Sequence, residues 1–83
     1  MPILSDFVSA AMEEARYKLL EDGNYFGEIP GCPGVWACEA TLEECRSVLL
    51  EVLEEWVLLK LRDRDPLPLI GGIDLNRVVA EGP

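Results

Sequence analysis

Thr41-Leu42-Glu43-Glu44 is a capping box, and the helix it opens constrains the rest of a chain of 83 residues. The Thr41 hydroxyl can accept an orphan amide of the first turn while Glu44 reaches back. Behind the box, Leu42, Cys45, Leu49, Val52, Leu53, Trp56 and Leu59 fall on one stripe, which Val48, Val57, Leu58 and Leu61 widen. A helix over 41–61 is ~32 Å long. Arg62, Arg64 and Pro66 mark its end, with basic charge where the helix dipole is negative. So broad a stripe needs an apolar floor.

The preceding residues can supply that floor as a sheet. Residues 15–20 and 25–29 flank Glu21-Asp22-Gly23-Asn24, whose Asp-Gly and Gly-Asn steps suit a tight turn because glycine and asparagine tolerate positive φ. Pro30-Gly31-Cys32-Pro33-Gly34 is a punctuated loop that cannot be helical, and residues 35–39 read as a third strand, antiparallel to the second. Ahead of the sheet, Ile3, Leu4, Phe7, Val8, Ala11, Met12 and Ala15 recur at helical spacing, which predicts an amphipathic helix over 3–14. The expectation is an α+β, two-layer domain over residues 1–76: an N-terminal helix, a three-stranded antiparallel meander over 15–39, one long helix across it, and an extended strand or arm over 66–75 that could make the sheet four-stranded. The prolines restrict that arm to an edge, and residues 77–83 are expected to fray.

Strand alternation sorts the side chains between two faces. Tyr25, Ile29, Val35 and Ala37 are expected under the long helix, with Gly27 and Ala37 small enough to let it approach. Phe26, Trp36 and Cys38 then fall on the opposite face. Large aromatics on an open sheet face call for a cover, and three are possible: the chain's own N-terminal helix, a second copy, or another protein.

Charge and reactive groups narrow the function. The net charge is −9 and the seven basic residues are scattered, whereas a nucleic-acid binder needs a basic footprint. An acidic surface favours a basic partner and speeds encounter with it. No histidine occurs, so a Ser-His or Cys-His arrangement is impossible. Cys32, Cys38 and Cys45 are odd in number and spaced by six and seven positions, with no histidine to complete a zinc site, so buried, reduced, structural thiols in a cytoplasmic protein are the expectation. The longest apolar region carries too many charges to span a membrane. The chain reads as no enzyme, with no cofactor and no metal. Nearly half of its residues (49%) are hydrophobic, more than so small a domain needs to bury, which favours a protein partner or a homodimer or higher oligomer.

The segment from Asp22 to Glu44 also resembles a known family. Asp22-Gly23-Asn24-Tyr25-Phe26-Gly27-Glu28-Ile29-Pro30, then Pro33-Gly34-Val35-Trp36-Ala37, then Thr41-Leu42-Glu43-Glu44 are similar to the glycine-turned hairpin, Pro-Gly loop, third strand and Thr-Leu-Glu-Glu helix start of HicB-like antitoxins. Glu54-Glu55-Trp56 and Asp65-Pro66-Leu67-Pro68 fit the family's helix end and proline exit, so the match runs from about Arg16 to Leu75. Val35, Glu39 and Cys45 depart from the family's usual Cys, Gly and Ala. The resemblance implies a partial RNase H-like fold that binds and neutralises a small basic HicA-like mRNA-cleaving toxin. Many members add a C-terminal DNA-binding domain. Nothing of domain size follows Asn76 here, so direct DNA binding is not expected. The candidate partner or oligomer surface is Phe26, Trp36 or an exposed edge strand for anchoring, with Glu43, Glu51, Glu54 and Glu55 on the long helix for steering. The rival is a stand-alone oligomeric module of the same fold without a toxin.

Overall fold

A computed structural model describes residues 2–68 and residue 70. In chain order these form α1 (Pro2–Glu13), β1 (Arg16–Leu19), β2 (Tyr25–Glu28), β3 (Trp36–Glu39) and α2 (Leu42–Asp63). The strands make a single antiparallel sheet in the order β1-β2-β3, with Phe26 opposite Lys18 on one side and Cys38 on the other. The fold is α+β, with α2 lying across one face of the sheet. Each expected helix and each strand of the meander is present, displaced at its ends by one or two residues.

Local chemistry explains each connection. Between β1 and β2, the Asp22 carboxylate accepts the Asn24 N–H at 2.9 Å, and Gly23 takes φ of +89°, a left-handed value that a side chain would resist. The Leu20 N–H donates to the Asn24 carbonyl at 2.8 Å, which closes the hairpin. Between β2 and β3, three linked backbone bonds (Ile29 N–H to Val35 O, Cys32 N–H to Ile29 O, Val35 N–H to Cys32 O) fold the Pro-Gly loop over the buried Cys32. At the start of α2 the Thr41 hydroxyl oxygen accepts the Glu44 N–H at 3.1 Å. The Glu44 carboxylate accepts the Thr41 O–H rather than a backbone amide, also at 3.1 Å.

The end of α2 differs from the expectation. The helix runs to Asp63, two residues past Leu61, and closes with Arg64 in the left-handed conformation (φ 57°). The Arg64 N–H donates to Leu61 O at 3.3 Å and the Asp65 N–H to Lys60 O at 2.9 Å, the paired bonds of a Schellman cap. Such a cap usually announces itself by glycine, and none stands here.

The buried stripe of α2 also differs from the expected one. Cys45, Leu49, Leu53 and Val57 are buried, each one turn after the last, while Leu42, Leu58 and Leu59 are exposed. Steps of four drift slowly around the helix, so the buried row turns as α2 crosses the sheet and leaves Leu42 and Leu59 outside. Beneath the first turns lie Gly27 and Ala37. A methyl group at Gly27 would stand 2.9 Å from the Tyr17 ring and 3.0 Å from Cys45 Sγ, and that thiol donates to the Ala37 carbonyl at 3.5 Å. The helix therefore settles onto the sheet because these two positions are small.

One cluster joins the layers: Phe7 and Ala11 of α1, Ile29, Cys32, Val35 and Ala37 from the sheet and its loop, the α2 stripe, and Leu67 and Ile70 beyond it. The expected arm over 66–75 is thus anchored at Leu67 and Ile70, with the Ile70 side chain near Gly31. Residue 69, the rest of that arm and the tail over 77–83 lie outside the described residues.

Candidate docking surfaces

The two faces of the sheet carry different chemistry. Tyr25, Gly27, Ile29, Val35 and Ala37 turn toward α2, and all but the half-buried Tyr25 are buried. The opposite face presents Arg16 and Lys18 from β1, Phe26 and Glu28 from β2, and Trp36 and Cys38 from β3. There Phe26 and Trp36 stack with ring centroids 6.0 Å apart and planes 25° from parallel. Trp36 remains 56% exposed.

Of the three possible covers for this face, the chain's own N-terminal helix is ruled out. Helix α1 packs beside α2, on the other side of the sheet, where Phe7 and Ala11 enter the core. An amphipathic helix needs an apolar surface but its sequence does not say which one, and the surface beside α2 is continuous with the core.

Rows one turn apart sort the side chains of α2. Arg46, Leu50, Glu54 and Leu58 line the flank that faces α1. There they border two grooves of about 400 and 640 Å³ whose other wall includes Leu4, Ser5, Val8, Ser9 and Met12. Glu43, Ser47, Glu51, Glu55 and Leu59 form the outward row and are all exposed, and its first two members, Glu43 and Ser47, also line the larger groove. Glu44, Val48, Val52, Trp56 and Lys60 form the remaining flank, with the Lys60 ammonium 5.4 Å from the centre of the Trp56 ring. Packing of α2 on β2 and β3, with Arg46 close enough to Tyr17 of β1 to bias its ionisation, puts the α1 side toward β1. The Glu44-Val48-Val52-Trp56 flank therefore overhangs β3.

The expected site residues are accordingly not one patch. Phe26 and Trp36 lie on the open sheet face. Glu51 and Glu55 point outward from α2, and Glu43 and Glu54 line the grooves beside α1, all beyond the opposite face of the sheet. Two features escape the sequence reading: the α1–α2 grooves, and the basic pair Arg16 and Lys18 beside the aromatics. The register Lys18↔Phe26 carries the second signal, and period-two counting along β1 would have found it.

The thiols divide in the same way. Cys32 and Cys45 are buried, Cys38 is half-buried on the open face, and all three are free. Burial, with Glu14 as a smaller contributor, pushes the Cys32 thiol up to about 11. Burial also raises Cys45, helped by Cys38 and Glu39. A thiol held protonated is a poor nucleophile. Among the described residues no three His, Cys, Asp or Glu side chains gather as a metal cluster would require, and no helix is long and apolar enough to cross a membrane.

Comparison with known proteins places the chain. Residues 6–68 match the model of the UPF0150-like family. The crystal structure of TTHA0281 from Thermus thermophilus superposes with a TM-score of 0.82 at 40% sequence identity, over 88% of this chain and 91% of that one. No curated protein matches.

Proposed function

This chain belongs to the UPF0150-like family, and on that premise we propose that it is an antitoxin-type protein of the HicB-like kind, which binds and neutralises a small basic HicA-like mRNA-cleaving toxin in the cytoplasm. It performs no chemistry of its own and needs no cofactor or metal. The carrying observation is the stacked Phe26–Trp36 pair left open on a sheet face of a chain with net charge −9. Aromatic anchors of this kind are typical of protein interfaces, and the charge draws a basic partner. The resemblance of the Asp22–Glu44 segment to HicB-like antitoxins supports the same reading.

A second reading, a stand-alone oligomeric module without a toxin, is favoured by the apolar side chains exposed elsewhere, Leu19 and Leu58 among them. Co-expression separates the two. The antitoxin reading requires this chain to rescue growth from a basic protein encoded beside it, and requires a stable complex of the purified pair at micromolar concentration in low salt. No rescue and no complex would leave the oligomeric module.

A further inference from the structure

The aromatic pair and the acidic helix lie on opposite sides of the sheet, and among the described residues the outer edge of β3 borders both. Among the described residues no strand pairs with its outward backbone. The Ile29 N–H donates to Val35 O at 3.2 Å, one step before the Glu28↔Trp36 pair. Bonded and non-bonded pairs alternate in an antiparallel ladder. Gly27↔Ala37 and Tyr25↔Glu39 are therefore the bonded pairs, and Trp36 and Cys38 turn their N–H and C=O groups away from β2. No described strand lies beyond them. Edges are commonly defended by charge. On β1 that defence is present as Arg16 and Lys18, whereas β3 offers Trp36, Ala37 and Cys38, with Glu39 at its end.

We propose that the β3 edge takes an extended basic segment of the partner as an added strand. The proposal rests on the antitoxin reading and names the surface that serves it. Alternate side chains of an added strand point to opposite faces. One set would lie beside Trp36 and Cys38 on the open face. The other would pass under Val48, Val52 and Trp56 of α2, where cationic ends meet the exposed Glu51 and Glu55. Acids dominate this border: Glu39, Glu44, Glu51 and Glu55, against Lys60, while Arg16 and Lys18 lie two strands away on β1. The same charge argues against a second copy as occupant, because edge-to-edge pairing would bring two acidic α2 flanks together.

The test is amide exchange, read by NMR on the full chain, with a short peptide alternating valine and lysine as probe and its valine–glutamate counterpart as control. With the lysine peptide the Trp36 and Cys38 amides slow by about tenfold or more, while those of Ala37 and Glu39, already bonded to β2, hold their rates. Cys38→Pro removes an outward N–H without touching a β2 bond and abolishes the effect; Cys38→Ala retains it. Should the proline variant fail to fold, Glu51→Lys with Glu55→Lys weakens peptide binding about tenfold in low salt. The inference is overturned by exchange at Trp36 and Cys38 that ignores the lysine peptide, by equal slowing with the glutamate peptide, or by concentration-dependent slowing with no peptide, which would make a second copy the occupant. None of these outcomes bears on rescue by co-expression, so the two readings fail separately.

Discussion

The two faces of one three-stranded sheet have had opposite fates. On the covered face, small residues at Gly27 and Ala37 admit α2, and Ile29 and Val35 meet the buried row of Cys45, Leu49, Leu53 and Val57. On the open face, the larger Phe26 and Trp36 stack on each other, and Trp36 stays exposed. Strand alternation produces both faces from the same segments, so hydrophobicity alone does not separate core from surface here. The difference is whether a matching element lies on top, and among the described residues both helices lie on one side.

The comparison is broken most severely by enlarging the contrast from inside. Leu53→Ala removes a fully buried side chain at the centre of the covered face, and should cost about 2–5 kcal/mol in denaturant unfolding. Gly27→Ala comes next. Its new methyl would meet the Tyr17 ring and the Cys45 sulfur, and an overpacked site of this kind costs about 1–3 kcal/mol. If the Tyr17 ring swings aside instead, the loss falls below that range and the seat of α2 is less tight than the distances imply.

The thiols sharpen the contrast through pH. The folded protein holds the Cys32 proton up to about 11, whereas an unhindered thiol releases it near 9.0. The folded-state value is raised, so the contribution to stability is whole below about 9 and is lost as pH rises toward about 11. Denaturation midpoints should fall through that window, and Cys32→Ala should flatten the fall. In native protein an alkylating reagent should modify Cys38 first, with Cys32 and Cys45 waiting for unfolding. Simultaneous modification of all three would mean the covered face opens readily.

Much of the covered side was legible in the sequence because it is written in local rules. The Thr41 cap, the Asp22-Gly23 turn and the alternation of β2 and β3 are each decided within a few residues. What was not legible is relational. The amphipathic stripe of α1 specifies a need for burial but no address, and its true place beside α2 follows from the shape of the whole core. The four glutamates look like one helix face in the sequence, yet Glu43 and Glu54 border the grooves beside α1 while Glu51 and Glu55 face outward, because the buried row advances by fours and turns as it goes. The end of α2 lies beyond its expected place because its left-handed cap is Arg64 and carries no glycine. That yields a further prediction: Arg64→Gly relieves the strain of a positive φ and should stabilise the fold by about 1 kcal/mol, with no effect on partner binding.

The smallest expected change in stability is at the residue that matters most for the proposed function. Trp36 is 56% exposed and its main described ring contact is the stack on Phe26. Trp36→Ala should therefore alter the unfolding free energy by about 1 kcal/mol or less. A surface aromatic that contributes so little to its own fold yet raises the risk of aggregation is expected to be retained for what it contacts. The same variant should lose rescue in co-expression and weaken the purified complex by at least about tenfold, an effect of more than about 1.4 kcal/mol on binding. Measuring both quantities on one preparation decides the matter. A large loss of stability would make Trp36 part of the core after all. A small loss of stability with undiminished binding would move the partner off the open face and toward the grooves between α1 and α2.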